Sequence, residues 1–165
     1  MKNADYIIQT KFSEIADRYG ADRCCVYMLD DDGMLGYTRA LNVSCVYEKV
    51  ISRKLTPQRQ NRQHLPYSLI GIQLNVLEDL EVNCRMIYIE ELRTFAPSLY
   101  SVMKERNDDF GELRMFLTAS IHLYGHIAGF VSLEYYHEPM MLNMDSFSLD
   151  CYNAEFLLNK AVNLS

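Results

Sequence analysis

The first residues of the chain carry apolar side chains at helical spacing. Those positions are Ile8, Phe12, Ile15 and Tyr19, and they share one face of a helix. Gly20 follows them, and glycine often ends a helix because it adopts the left-handed conformation without strain. The pattern therefore predicts an amphipathic N-terminal helix that ends near Gly20.

A hairpin pattern comes next. Residues 23–29 are rich in strand-forming side chains and are apolar on both alternating faces, which is typical of a central strand covered on both sides. Residues 30–33 are three aspartates and a glycine, which is a turn signal. Alternation resumes over residues 35–46, so we predict an antiparallel pair of strands.

The middle of the chain is mixed in character. Residues 52–66 are polar and contain two prolines, which indicates a loop. Helical spacing returns over residues 67–81, a short strand is predicted at 86–89, and a second helix is predicted at 98–109. We expect this stretch to cross from the first hairpin to the last one.

The last third has the clearest pattern. Residues 114–123 and 126–136 read as two strands around a tight turn at Tyr124 and Gly125. A final helix follows, for which Asp145 is the predicted N-cap. Its predicted buried positions are Phe147, Cys151, Ala154, Leu158 and Ala161.

These elements predict one α+β domain that spans residues 1–165. Each terminal helix has one apolar face, and the simplest arrangement packs both helices on one face of a central antiparallel sheet. The crossover helices and loops then cover the other face. A concave ligand site can form between the sheet and the crossover.

Charge and composition exclude several classes of partner. The formal net charge of −6 argues against nucleic acid and against an anionic membrane surface. No stretch has the apolar length of a signal peptide or a membrane span, so we expect a cytoplasmic protein. The five cysteines are odd in number and irregularly spaced, which favours buried free thiols over a disulfide framework or a zinc site.

The order and spacing of the elements resemble a known family. Residues 21–33 resemble the first strand and turn of a GAF domain, residues 87–92 resemble its short middle strand, and residues 117–134 resemble its final hairpin. The final helix matches as well, so the resemblance covers residues 5–162. It implies the GAF fold, with the terminal helices on one face of the sheet.

The resemblance also implies a non-catalytic sensor or regulatory domain. Such domains bind small molecules or dimerise, and they sit beside output domains such as histidine kinases or cyclic-di-nucleotide enzymes. The resemblance identifies neither a ligand nor a cofactor, and it leaves open whether the chain is part of a larger signalling protein. Bilin-binding GAF domains commonly attach the chromophore to a cysteine followed by a histidine, and no Cys-His dipeptide occurs here.

The more polar face of the sheet is the candidate ligand surface. Strand alternation places one set of side chains toward the crossover, and the residues predicted to line a pocket there are Tyr27, Phe116, Thr118, Phe130 and Ser132. The alternative is that these are ordinary core residues whose hydroxyls are hydrogen-bonded.

The terminal helices carry a second candidate surface. Ile7 lies off the main apolar stripe of the first helix, and Leu149, Tyr152 and Phe156 lie off the stripe of the last. Residual apolar area there predicts a homodimer that pairs the terminal helices in a bundle. The alternative is a wide stripe that faces the core of one subunit.

Two other functions stay open from the sequence. One is a ligand-free dimerisation module of a larger signalling protein. The other is a thiol-dependent reductase of free methionine sulfoxide, which some GAF-like proteins resemble. There Cys84 would be the reactive thiol and Cys45 its resolving partner.

One basic cluster lies in the predicted loop. Its members are Arg53, Lys54, Arg59, Arg62 and His64. Such a cluster can hold an anionic ligand or the acidic patch of a partner protein, and the alternative is a solvated loop.

Overall fold

An antiparallel sheet runs through the centre of the protein. The computed structural model describes residues 2–30, 42–53, 55–66, 84–105, 111–138 and 142–163. The strands in these ranges are β1 (Arg23–Leu29), β2 (Asn42–Val50), β3 (Leu65–Pro66), β4 (Cys84–Tyr88), β5 (Met115–Leu123) and β6 (His126–Tyr135). Within the described part they form one sheet in the order β3-β2-β1-β6-β5-β4, and each pair of neighbours is antiparallel.

Helices cover both faces of this sheet. They are α1 (Lys2–Arg18), α2 (Ile89–Phe95), α3 (Pro97–Glu105) and α4 (Met144–Asn163). The end of α1 lies beside the start of α4, where the Tyr19 hydroxyl donates a hydrogen bond to Asp150 at 2.7 Å and lies 2.8 Å from Ser146 Oγ. No helix of the described residues is long and apolar enough to cross a membrane.

The two faces of the sheet bury two different sets of side chains. Under α1 and α4 the strands contribute Cys24, Val26, Met115, Leu117, Ala119, Ile121, Val131, Leu133 and Tyr135. The opposite face of β4 and β5 contributes Ile87 and Phe116, which pack with Leu92 and Leu99 of α2 and α3. The predicted arrangement is confirmed, because both terminal helices share one face and crossover helices cover the other.

Several boundaries differ from the sequence predictions. β2 continues to Val50, beyond the predicted end at residue 46, because Glu48 lies opposite Cys25 and points to a buried arginine rather than to solvent. β4 ends at Tyr88, one residue before the predicted end. Ile89 instead begins α2, whose first turn carries two glutamates that suit a helix N-terminus. The helix predicted over 67–81 lies outside the described residues.

The N-cap of α4 is Asn143, not the predicted Asp145. The Ser146 amide donates to Asn143 Oδ1 at 3.0 Å, and the Phe147 amide donates to the Asn143 carbonyl at 3.0 Å. Asp145 lies in the first turn, where its charge favours the positive end of the helix dipole. The predicted buried stripe of this helix is confirmed at all five positions.

Strands β1 and β6 approach each other closely at Gly129. This residue pairs with Met28, and a Cβ atom added to it would overlap the carbonyl oxygen of Tyr27 and lie 2.8 Å from Met28 Sδ. The overlap is with backbone, which cannot turn away as a side chain can. Only glycine therefore fits without separating the two central strands.

We predict that Gly129→Ala destabilises the protein by about 1–3 kcal/mol, the usual cost of forcing an atom into a packed interior. Urea unfolding followed by circular dichroism measures this. The control is Gly125→Asn in the β5–β6 turn, where φ is +78°, open space surrounds an added Cβ, and asparagine tolerates the left-handed conformation. Equal unfolding midpoints for Gly129→Ala and the unmodified protein would contradict the prediction.

Candidate functional site

The sheet face away from α1 and α4 carries four buried charged side chains. Arg23 lies on β1, Glu48 on β2 and Glu134 on β6, while Arg62 comes from the loop between β2 and β3. No more than 4% of any of these side chains is exposed. We call them the charge cluster. Its two positive and two negative groups balance, as buried charges require.

Glu134 lies at the centre of the charge cluster. Its Oε2 accepts a hydrogen bond from Arg62 Nη1 at 2.9 Å, and its Oε1 lies 3.5 Å from Arg23 Nη1. Burial alone would raise the pKa of the Glu134 carboxyl, but Arg62 and Arg23 outweigh burial and hold this pKa below its ordinary value. Glu134 is therefore ionised at neutral pH.

The charge cluster also fixes the loop that supplies Arg62. The Glu48 carboxylate accepts hydrogen bonds from the backbone amides of Gln58 at 2.9 Å and Arg59 at 3.0 Å. Its Oε2 lies 3.1 Å from Arg23 Nε. Arg23 Nη2 donates to the carbonyl of Thr56 at 2.7 Å. We call residues 55–64 the β2–β3 segment. Its backbone is held on the sheet by side chains of the two neighbouring strands.

Arg62 is the residue of the β2–β3 segment that enters the sheet face. Its Nη1 donates to the Tyr27 hydroxyl at 2.9 Å and contacts Cys25 Sγ at 3.4 Å. Its Nε is buried and has no hydrogen-bond partner among the described residues. Arg62 thus keeps its Nε as a buried donor without a protein acceptor in the described ranges.

The predicted basic cluster is not a single surface. Arg62 belongs to the buried charge cluster because Glu134 neutralises it, whereas Arg53, Arg59 and His64 are exposed. Lys54 lies outside the described residues. The exposed side chains therefore do not form one anion-binding surface with the buried guanidinium of Arg62.

The five predicted pocket residues all lie on the face of the charge cluster and are all buried. Tyr27 stacks on Phe130 with ring centroids 4.7 Å apart, beside Arg62. Phe116 packs instead with the residues of α2 and α3, and Thr118 donates its hydroxyl to the Val131 carbonyl at 2.9 Å. The structure therefore brings Tyr27 and Phe130 together and places Phe116 in a separate group.

The charge cluster itself was missed by the sequence prediction of the site. One signal was available, because Arg23 and Glu134 occupy the same strand phase as Tyr27 and Phe130. A charged side chain in register with buried aromatic residues indicates a buried ion pair. Arg62 carried no such signal, since it lies in a polar stretch.

A separate cleft opens at one end of the sheet. It has a volume of about 740 Å³ and lies between the β4–α2 junction and the residues before β5, with Tyr88, Glu90, Arg114, Tyr136 and Glu138 among its lining residues. None of the five predicted pocket residues lines it. Two of its lining residues, Gly111 and Glu138, are next in sequence to residues outside the described ranges.

The predicted dimer residues divide into two groups. Leu149, Tyr152 and Phe156 of α4 are 59%, 59% and 58% exposed, although all three are large and apolar. Ile7 is only partly exposed and packs against the core under α1 and α4. Tyr6 of α1, which was not among the predicted residues, is 65% exposed.

The structure separates the two cysteines considered for a reductase. Cys45 lies on β2 and is buried with Tyr27 and Phe130. Cys84 lies on β4 and packs against the core on the other face of the sheet. Three strands lie between β2 and β4. Cys45 therefore cannot resolve an intermediate on Cys84 in this fold.

Comparison with known proteins identifies the fold. No family model and no curated protein matches the chain. The red light-absorbing state of a red/green cyanobacteriochrome matches with a TM-score of 0.70 and 11% identity, covering 99% of this chain and 98% of that one. A GAF domain/HD domain protein from Geobacter sulfurreducens matches with a TM-score of 0.67 and 13% identity, covering 98% and 95%.

A third similar structure is larger than this chain. The phytochrome photosensory core module of Stigmatella aurantiaca matches with a TM-score of 0.68 and 15% identity, and the match covers 98% of this chain but 33% of that one. The strand order, the paired terminal helices and these full-length matches agree. The chain has the fold of a GAF domain.

Proposed function

We propose that this chain is a sensory or regulatory domain that binds a small molecule on the charge-cluster face of its sheet. The observation that carries the proposal is Arg62, a buried guanidinium whose Nε has no partner among the described residues. A buried donor without an acceptor costs free energy, and a ligand acceptor atom would remove that cost. The similar solved structures support a sensory role, because they include a cyanobacteriochrome and a phytochrome module.

The lining of this face suggests the chemistry that a ligand would have. Tyr27 and Phe130 provide stacked aromatic surface, while Arg62 provides a charged donor. These groups suit a small molecule with one planar or apolar part and one hydrogen-bond acceptor. The charge cluster is already balanced, so a neutral or weakly polar ligand fits better than a multiply charged anion.

The same comparison supports a role for this chain beside an output domain. The similar structures include a GAF domain/HD domain protein and a photosensory core module three times the length of the match. We propose that ligand binding in this chain regulates an output domain, such as a kinase or a cyclic-di-nucleotide enzyme. The domain itself carries out no chemistry on the ligand.

Native mass spectrometry of the protein purified from cells tests ligand binding. We expect a mass above that of the chain by one small molecule, which denaturation releases. Tyr27→Phe should lower the occupied fraction at least threefold, because the hydroxyl beside Arg62 is lost while the stacking on Phe130 is kept. Tyr124→Phe, in the exposed β5–β6 turn, is the matched control and should leave occupancy unchanged.

An empty protein in every preparation would contradict the ligand proposal. It would favour the second function, a ligand-free dimerisation module. Occupancy that falls equally in both tyrosine variants would place the ligand elsewhere on the molecule.

We also propose that the chain forms a homodimer through α4. Leu149, Tyr152 and Phe156 follow one another at helical spacing and form an exposed apolar stripe. Burying such a stripe against its symmetric copy removes apolar area from water, at about 25 cal/mol per Å². A two-fold axis that passes beside the α4 stripe pairs the stripe with its own copy in the second subunit.

We predict that Phe156→Glu converts the dimer to a monomer, because it places a charge and its symmetric copy in an apolar contact. Sedimentation equilibrium at micromolar concentration measures the mass. Ser98→Glu adds the same charge to an exposed position of α3, on the opposite face of the sheet, and it should leave the dimer intact. A monomeric unmodified protein, or equal masses for both variants, would contradict the interface.

A further inference from the structure

The cleft at the end of the sheet has walls that the fold holds in place. The Ile89 amide donates to the Arg114 carbonyl at 2.9 Å, and the Arg114 amide donates to the Tyr135 carbonyl at 2.9 Å. These bonds join the ends of β4, β5 and β6 beside the cleft. Tyr136 forms a buried wall, and its hydroxyl accepts a hydrogen bond from Arg23 Nη1 at 3.1 Å. The cleft is therefore preformed, which lowers the ordering cost of binding.

Charged side chains of both signs line this cleft. Glu90 is already paired, because its Oε2 lies 3.1 Å from Arg93 Nη2. Glu112, Arg114 and Glu138 also line the cleft, are exposed, and take part in no ion pair with the residues that the structure describes. One guanidinium and two carboxylates in the cleft are therefore available to a ligand.

Apolar surface completes the lining. Tyr88, at the end of β4, is 46% exposed although its ring is large. Ile89, Leu113 and Met115 add aliphatic and thioether groups to the same cleft. Apolar walls with a few charged groups are typical of sites for small organic molecules, and the volume of about 740 Å³ lies within the usual size of such sites.

We propose that this cleft binds a small zwitterion of the amino-acid class. Its carboxylate would lie on the guanidinium of Arg114, its ammonium group on Glu112 or Glu138, and its side chain against Tyr88. The site is separate from the charge-cluster face, because none of the five predicted pocket residues lines the cleft. The inference therefore does not depend on the ligand proposed for that face.

A zwitterion fits this lining better than a ligand with a single charge. An anion would meet the carboxylates of Glu90, Glu112 and Glu138, and a cation would meet the guanidinium of Arg114. Like charges brought together without compensation oppose binding. A molecule that carries an ammonium and a carboxylate a few bonds apart gives each free charge of the cleft an opposite partner and adds no net charge.

Titration of the isotope-labelled full chain with each of the twenty free amino acids, followed by its amide chemical shifts, tests the proposal. We expect at least one amino acid to give saturable shifts below about 10 mM. These shifts should be centred on Tyr88, Glu112, Arg114 and Tyr136. The N-acetyl and the amide derivatives of that amino acid each lack one charge, and each should bind at least about tenfold more weakly.

Two arginine variants locate the carboxylate contact. Arg114→Gln should weaken binding at least about tenfold, because a guanidinium can hold a carboxylate with two parallel hydrogen bonds and an amide cannot. Arg59→Gln removes an exposed arginine that does not line the cleft, and it should leave the affinity unchanged. The amide spectra of the unliganded variants show whether each is folded.

Three results would overturn the proposal. The first is the absence of saturable shifts with all twenty amino acids. The second is equal affinity for an amino acid and its two derivatives, which would show that the paired charges are not recognised. The third is a set of shifts centred on Tyr27 and Phe130, which would place the amino acid on the charge-cluster face.

Discussion

The carboxylate of Glu134 imposes the main constraint on this structure. It lies on a central strand and is almost fully buried, and an ionised carboxylate there is stable only beside opposite charge. Arg23 supplies part of that charge from the neighbouring strand. The rest comes from Arg62, which does not belong to a sheet strand, so folding must bring the β2–β3 segment onto the sheet.

The same requirement connects the features of the candidate site. Arg62 contacts Glu134, Tyr27 and Cys25 at once, which places the stacked aromatic pair beside the same guanidinium as the central carboxylate. Glu48 meanwhile holds the backbone of the β2–β3 segment. A ligand that accepts a hydrogen bond from Arg62 would act on the same segment. The exposed α4 stripe, on the far side of the sheet, is the surface through which we propose that two copies pair.

Much of the fold could be predicted from the sequence because its strands and terminal helices bury regular patterns. Alternation along β5 correctly placed Phe116 and Thr118 on one face of the sheet and Met115 and Leu117 on the other. Helical spacing identified the buried stripe of α4. Which of two nearby polar residues caps a helix was harder to predict. Asn143 rather than Asp145 caps α4, a difference of two residues that depends on backbone geometry.

The charge cluster could not be predicted in the same way. Arg62 lies in a polar stretch, and polar stretches are usually solvated loops. Its partner Glu134 is 72 residues away along the chain, and no periodicity links the two. The pairing is a consequence of tertiary structure, and so is the separation of Cys45 from Cys84.

The dependence of the structure on Glu134 is most directly tested by its stability as a function of pH. Because the folded-state pKa of Glu134 is lowered, its contribution is fully present above the ordinary value of 4.5 and is lost as the pH falls through the lower folded value. Urea unfolding between pH 7 and pH 3 should show that Glu134→Gln is destabilised by about 3–5 kcal/mol at pH 7 and loses less stability with acid than the unmodified protein.

Glu14→Gln is the control, since Glu14 forms an exposed pair with Lys11, and it should change the free energy of unfolding by less than about 1 kcal/mol. The predicted result is a large gap between the unmodified protein and Glu134→Gln at neutral pH that narrows in acid. Equal stability of the two at pH 7, with parallel pH profiles, would contradict the central role of this carboxylate.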